Sequence, residues 1–197
     1  TAFGVRAPAA DDLADRAAAM HERLTRAIGV VPPLADIADG LHAIYDAFAA
    51  AASDVTLQRI HGDLHLGQAL RTVRRWVIID FEGEPMAELA ARRLPDSPLR
   101  DIAGMLRSFE YAAHHRMIET GYQPQLVYRA NEWANRNRDA FLDGYARAVG
   151  HDPREHLAPL RALEADKAVY EAVYEARHRP AWLPIPLASL ARLAEAP

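Results

Sequence analysis

The sequence predicts a mainly α-helical body with one small β-hairpin, on three observations. Apolar residues recur at three-and-four spacing through several long segments, as one face of a helix requires. The β-branched run Val77-Ile78-Ile79, beyond a stretch dense in Gly, His and Asp, favours a strand. Pro32-Pro33, Gly121 with Pro124, and Gly150 punctuate the periodic segments.

From the start of the chain, Leu13, Ala17, Met20, Leu24 and Ile28 place one apolar stripe on a helix over 11–28. Val31-Pro32-Pro33 stops it, and Ile37, Leu41, Ile44, Tyr45 and Phe48 predict a second helix over 34–52. Both stripes are read as core. Short apolar runs at 57–60 and 76–79 flank the polar stretch. Ser97 is a candidate N-cap with Pro98 at the first helical position, opening a helix to about Glu119. Gly121 and Pro124 break it, a long helix follows over 125–149 to Gly150, and another spans about 154–177. The prolines at 180, 184 and 186 exclude regular helix over 179–186, and a short helix ends the chain. Trp133 and Trp182 are expected to pack, and His114, His115 and His178 to lie on the surface or at caps.

Half of the 197 residues are apolar, enough for a sizeable core. A net charge of −4 with scattered arginines gives no footprint for nucleic acid. No apolar run reaches the roughly 20 residues of a membrane span. With no cysteine in the chain, disulfides and thiolate sites are excluded, and a cytoplasmic protein is expected. Basic charge is carried almost wholly by arginine, with Lys167 the only lysine. Thr1 is not a methionine and Ala2-Phe3-Gly4 reads like the tail of an earlier helix, so a fragment is expected.

The chemistry is concentrated in His61-Gly62-Asp63-Leu64-His65-Leu66-Gly67-Gln68 and, after one hairpin, Ile78-Ile79-Asp80-Phe81-Glu82-Gly83-Glu84-Pro85. Phosphoryl transfer needs a carboxylate to take or orient the acceptor hydroxyl, and oxygen ligands for the magnesium that holds the nucleotide phosphates. A kinase sets its catalytic Asp five residues before an amide ligand, with a metal-binding Asp after a hairpin. Asp63, Gln68 and Asp80 repeat that order. Gly62 and Gly67 allow a tight loop, and His61 and His65 are expected to brace it.

These two motifs resemble the aminoglycoside-phosphotransferase and choline-kinase superfamily, and within it bacterial maltokinases most. Many relatives have Asn where this chain has Gln68; the Gln and the run Asp-Phe-Glu-Gly-Glu-Pro are similar to maltokinases and their glucosamine-kinase relatives. The resemblance covers the whole chain, to Arg179-Pro180-Ala181-Trp182-Leu183-Pro184-Ile185-Pro186. It implies ATP, Mg2+ and a sugar acceptor, with maltose converted to maltose 1-phosphate for α-glucan and glycogen synthesis as the leading reading. Glucosamine or another small sugar comes next, and an aminoglycoside third.

By this resemblance Asp63 is the catalytic base and Gln68 and Asp80 bind the metal, with Glu82 a weaker candidate beside it. Asp101, in the pair Arg100-Asp101, anchors the catalytic loop. The helix carrying Lys167, Tyr170 and Tyr174 is similar to the maltokinase sugar helix, and their three-and-four spacing puts them on one face. Asp166 and Glu175 are second-rank sugar contacts. The bland alternative is a half-buried tyrosine stripe with a solvated lysine.

The resemblance also implies an N-terminal lobe whose strands and lysine hold the nucleotide phosphates. Positions 1–60 have no lysine, Gly-x-Gly loop or strand alternation. Residues 1–197 are therefore expected to be the C-terminal, catalytic lobe of a protein-kinase-like fold, with the nucleotide lobe absent from this chain and activity weak or nil. Two other readings are open. His61-x-Asp63-x-His65 resembles half of a metal-dependent hydrolase site, and a catalytically silent lobe would serve binding or assembly, for instance as a homodimer through surfaces the missing lobe would cover.

Overall fold

A computed structural model of the chain describes residues 4–51, 55–84, 89–121 and 123–195. Thr1 to Phe3, Ala52 and Pro85, which figure in the sequence reading, lie outside the described residues. The elements run α1 (Ala10–Ile28), α2 (Ala38–Ala50), β1 (Ala69–Arg71), β2 (Trp76–Ile78), α3 (Leu89–Arg92), α4 (Pro98–Thr120), α5 (Pro124–Val149), α6 (Leu157–His178) and α7 (Pro184–Glu195). Among the described residues the strands form one two-stranded antiparallel sheet, with Ala69 opposite Ile78 and Arg71 opposite Trp76.

Helix α6 is the axis of the body. Ala162, Leu163, Ala165, Ala168, Val169 and Ala172 are all buried on it, and the small side chains let α1, α2, α4 and α7 pack around it. The stripes read from α1 and α2 are core: Leu13, Met20, Leu24, Leu41, Tyr45 and Phe48 are each buried. Ser97 caps α4 by accepting the Leu99 N–H at 3.2 Å, and Gly150 closes α5 in the left-handed conformation, its N–H on the Ala146 carbonyl.

A helix this buried cannot carry acids unpaired. Each acid of α6 meets an arginine from a different direction. Arg138 of α5 binds Glu164 at 2.6 Å, Arg23 of α1 binds Asp166 at 2.7 Å, Arg107 of α4 binds Glu171 at 2.7 Å, and Arg179 binds Glu175 at 2.6 Å. The guanidinium fork suits paired oxygens in a way an ammonium does not, which accounts for a chain rich in arginine with one lysine.

The 57–60 run contributes isolated bridges from Leu57 to Arg6 and from Gln58 to Asp96. Three expectations are corrected. Pro32–Ile37 forms a 3-10 turn, so the second helix begins at Ala38 rather than Leu34. Helix α7 starts at Pro184, with Pro186 still in the first turn, where a missing N–H costs nothing. His114 is not a surface residue: it is buried between the Glu110 carbonyl and Asn131 Oδ1, each at 2.9 Å. Trp182 stacks on Tyr111 beneath Arg179, while Trp133 packs edge-on against Phe109 yet is 45 % exposed.

Candidate active site

The loop carrying Asp63 is held from three sides. Asp101, in the first turn of α4, accepts the backbone N–H of His61 at 2.7 Å and of Gly62 at 2.8 Å. The buried His61 ring ties the loop to the end of β2, its Nε2 donating to the Ile79 carbonyl at 2.8 Å while Nδ1 accepts the Asp63 N–H at 3.3 Å. Gly104 of α4 lies so close that an added Cβ would stand 2.5 Å from the Leu64 carbonyl oxygen. Gly62 sits at φ +87, a conformation side chains rarely adopt. Farther on, His65 Nδ1 accepts the Gly67 N–H at 3.1 Å, and Ser108 Oγ accepts that of Leu66 at 3.1 Å. His61, His65 and Asp101 thus each hydrogen-bond to the backbone in or beside this loop.

Gln68 and Asp80 also meet, Gln68 Nε2 donating to Asp80 Oδ2 at 2.9 Å across the hairpin. Asp80 is the one described non-glycine residue at positive φ, +63, a strain of the kind concentrated at functional positions. Two adjacent oxygen-bearing side chains suit magnesium, which takes one or two protein ligands and completes its shell from phosphate and water. Glu82 lies exposed on the following turn.

Lys167, Tyr170 and Tyr174 share one face of α6. The tyrosine rings stack 6.4 Å apart at 24°, and Lys167 Nζ lies 5.0 Å from the Tyr170 ring. That face walls a cavity of about 550 Å³ with Asp63, Ser108 and Tyr111, a volume fit for a small ligand. Four carboxylates, Asp63, Glu84, Glu171 and Glu175, line it against two cations, Lys167 and Arg179. A second cavity of about 420 Å³ adjoins it, and Asp63, Glu84, Gly104, Lys167 and Tyr170 border both.

Two of the expected sugar contacts are engaged by arginines. Asp166 is held by both guanidinium nitrogens of Arg23, at 2.7 and 2.9 Å, and Glu175 by Arg179 and the Tyr111 hydroxyl. Each reaches a cavity wall with its carboxylate already engaged. Glu84 is the residue the sequence reading missed: it accepts from Lys167 Nζ at 2.5 Å and from the Tyr170 hydroxyl at 3.0 Å. Its place in the Asp80-to-Glu84 run was the available signal. Arg107 was missed too, because nothing in one sequence marks an arginine as fully buried.

The hydrolase arrangement is not formed. Both ring nitrogens of His61 face backbone groups, and among the described residues no cluster of three or more His, Asp or Glu side chains is placed to hold a metal.

No family model matches the chain. It is similar to glucosamine kinases. A glucosamine kinase of Mycolicibacterium smegmatis is 36 % identical over 136 residues, 68 % of this chain and 33 % of that protein. One from Streptacidiphilus jiangxiensis is 29 % identical over 197 residues, 95 % of this chain and 44 % of that protein. Among solved structures, a glucosamine kinase superposes with a TM-score of 0.84 at 27 % identity over 96 % of this chain and 48 % of its own. Another, in complex with glucosamine, ADP and inorganic phosphate, gives a TM-score of 0.84 at 26 % identity. The chain thus spans a third to about half the length of these relatives and shares the fold of that portion. These relatives are glucosamine kinases, the group the sequence reading placed beside the maltokinases.

Proposed function

We propose that residues 1–197 form the C-terminal, catalytic lobe of a protein-kinase-like enzyme that transfers the γ-phosphate of ATP to a hydroxyl of a small sugar, glucosamine before maltose. One observation carries the reading: Asp63 stands on the wall of a cavity lined by two stacked tyrosines and an excess of carboxylates. Tyrosine rings offer flat faces to a sugar, and the carboxylates favour an acceptor bearing an ammonium group over a neutral disaccharide. The similarity to glucosamine kinases supports the same choice.

In this reading the acceptor hydroxyl hydrogen-bonds to Asp63, which takes its proton as the oxygen attacks phosphorus. The oxygen–phosphorus bond forms and the bond to ADP breaks. Gln68 and Asp80 would hold a magnesium ion, which would neutralise phosphate charge. Asp101, His61 and His65 keep the loop in place. The lobe that clamps the nucleotide lies outside these residues, and ATP use suits the cytoplasm. Leu70, Trp76 and Phe81 of the hairpin region, each 48 % exposed or more, are apolar side chains on which that lobe would rest. A second copy of the chain on the same side chains is the alternative, and light scattering separates the two.

The test is ATP turnover with glucosamine, maltose and an aminoglycoside, on this chain and on a longer form. Glucosamine turnover by the longer form alone is expected. Turnover with maltose only would replace the acceptor, and equal activity of both forms would overturn the lobe assignment.

A further inference from the structure

We propose that Lys167 is a positioning residue for Asp63, seated by Glu84, and not a clamp on the sugar. The inference rests on the phosphotransfer reading above. The Lys167 ammonium stands 3.1 Å from Asp63 Oδ1 and 2.5 Å from Glu84 Oε2. The other oxygen of Glu84 accepts the Tyr170 hydroxyl at 3.0 Å. Two of the three N–H donors of the ammonium are thereby directed at carboxylates, leaving little for sugar hydroxyls.

The arrangement does two things for a base. With Oδ1 occupied, the carboxylate of Asp63 has one rotational setting, and Oδ2 is the oxygen left for the acceptor. The Glu84 contact also keeps the ammonium seated beside that carboxylate. Lys167 itself does not exchange protons in the step. Partial burial works against its charge, but Glu84, then Asp63 and Glu171, outweigh that and hold its pKa above the usual lysine value. The charged or titratable groups facing it are Glu84, Asp63, Tyr170 and Glu171. The proton passes from the acceptor hydroxyl to Asp63 Oδ2, the acceptor oxygen bonds to phosphorus, and ADP departs with the electron pair of the broken bond.

Glu84 acts through Lys167. It comes from the segment after the hairpin, whereas Lys167 comes from α6 and Asp63 from the loop, so the charge series Glu84, Lys167, Asp63 joins three separate parts of the chain. It also forms part of the partition between the two cavities.

Because Lys167 is the only lysine, 13Cε-lysine labelling gives one lysine signal. Its midpoint is expected above that of an unstructured lysine, and lower in D63N and in E84Q than in the parent. A signal that ignores D63N would overturn the proposal. On the longer form, K167M should lower kcat by about 100-fold while the glucosamine KM moves less than about threefold, and K167R should restore part of kcat. A raised KM with kcat intact would show a sugar clamp and overturn it. Should K167M not fold by circular dichroism, E84Q carries the same split of kcat from KM. If D63N keeps its kcat, the phosphotransfer reading fails; if D63N is inactive and K167M fully active, the role given to Lys167 alone fails.

Discussion

The carboxylate of Asp101 receives the backbone N–H of Gly62 at 2.8 Å and, through its other oxygen, that of His61 at 2.7 Å. One side chain in the first turn of α4 thus sets the entry of the loop that carries Asp63. The carboxylate is partly buried for this purpose, and burial raises its pKa in spite of the two N–H donors. Replacing Asp101 by Ala leaves those donors unmatched and should cost about 2–3 kcal/mol in urea denaturation. Asp101→Asn keeps one acceptor and should cost less.

Gly104 is fixed by contact rather than by backbone angle. A methyl there would stand 2.5 Å from the Leu64 carbonyl oxygen, and a backbone atom cannot swing away as a side-chain end can. Gly104→Ala should lower stability by about 1–3 kcal/mol. Calorimetry should also show weaker glucosamine binding, since the loop must shift to admit the methyl.

Arg107 is fully buried, and its pKa is raised: burial opposes the charge but Glu171, Glu110 and Glu164 outweigh it. Arg107→Met strands Glu171 and should cost about 3–5 kcal/mol. Adding Glu171→Leu removes the stranded charge, so the double variant should be more stable than Arg107→Met alone.

Glu110 makes stability depend on pH. Burial pushes its carboxyl up, but Arg107, Arg192 and Arg138 together bring it below the ordinary glutamate value. A depressed pKa means that the stabilisation is present above the unfolded-state value and is lost as pH falls through the folded-state value. Denaturation midpoints of the parent should therefore drop below about pH 4.5 more steeply than those of Glu110→Gln.

Local signals made much of this legible in the sequence. Ser97 and Pro98 opened α4, the α1 and α2 stripes became core, and the spacing of Asp63, Gln68 and Asp80 forecast two motifs that do meet. What escaped depends on contacts between distant residues. Helical spacing put Lys167 beside Tyr170, but only folding shows that its ammonium turns to Asp63, 104 positions away in sequence. Asp166 and Glu175 sat next to that face in sequence, yet burial of α6 obliged them to find arginines first. Tertiary packing likewise decided that Pro184 starts α7 instead of preventing a helix.

The central claim is that Asp63 takes the proton of the sugar hydroxyl. Following glucosamine phosphate by 31P NMR, with the longer form and its Asp63→Asn variant side by side, tests it most directly. A loss of about 10²- to 10⁴-fold in kcat is expected, with the denaturation midpoint unchanged. A variant that folds and still turns over glucosamine at the parent rate would contradict it.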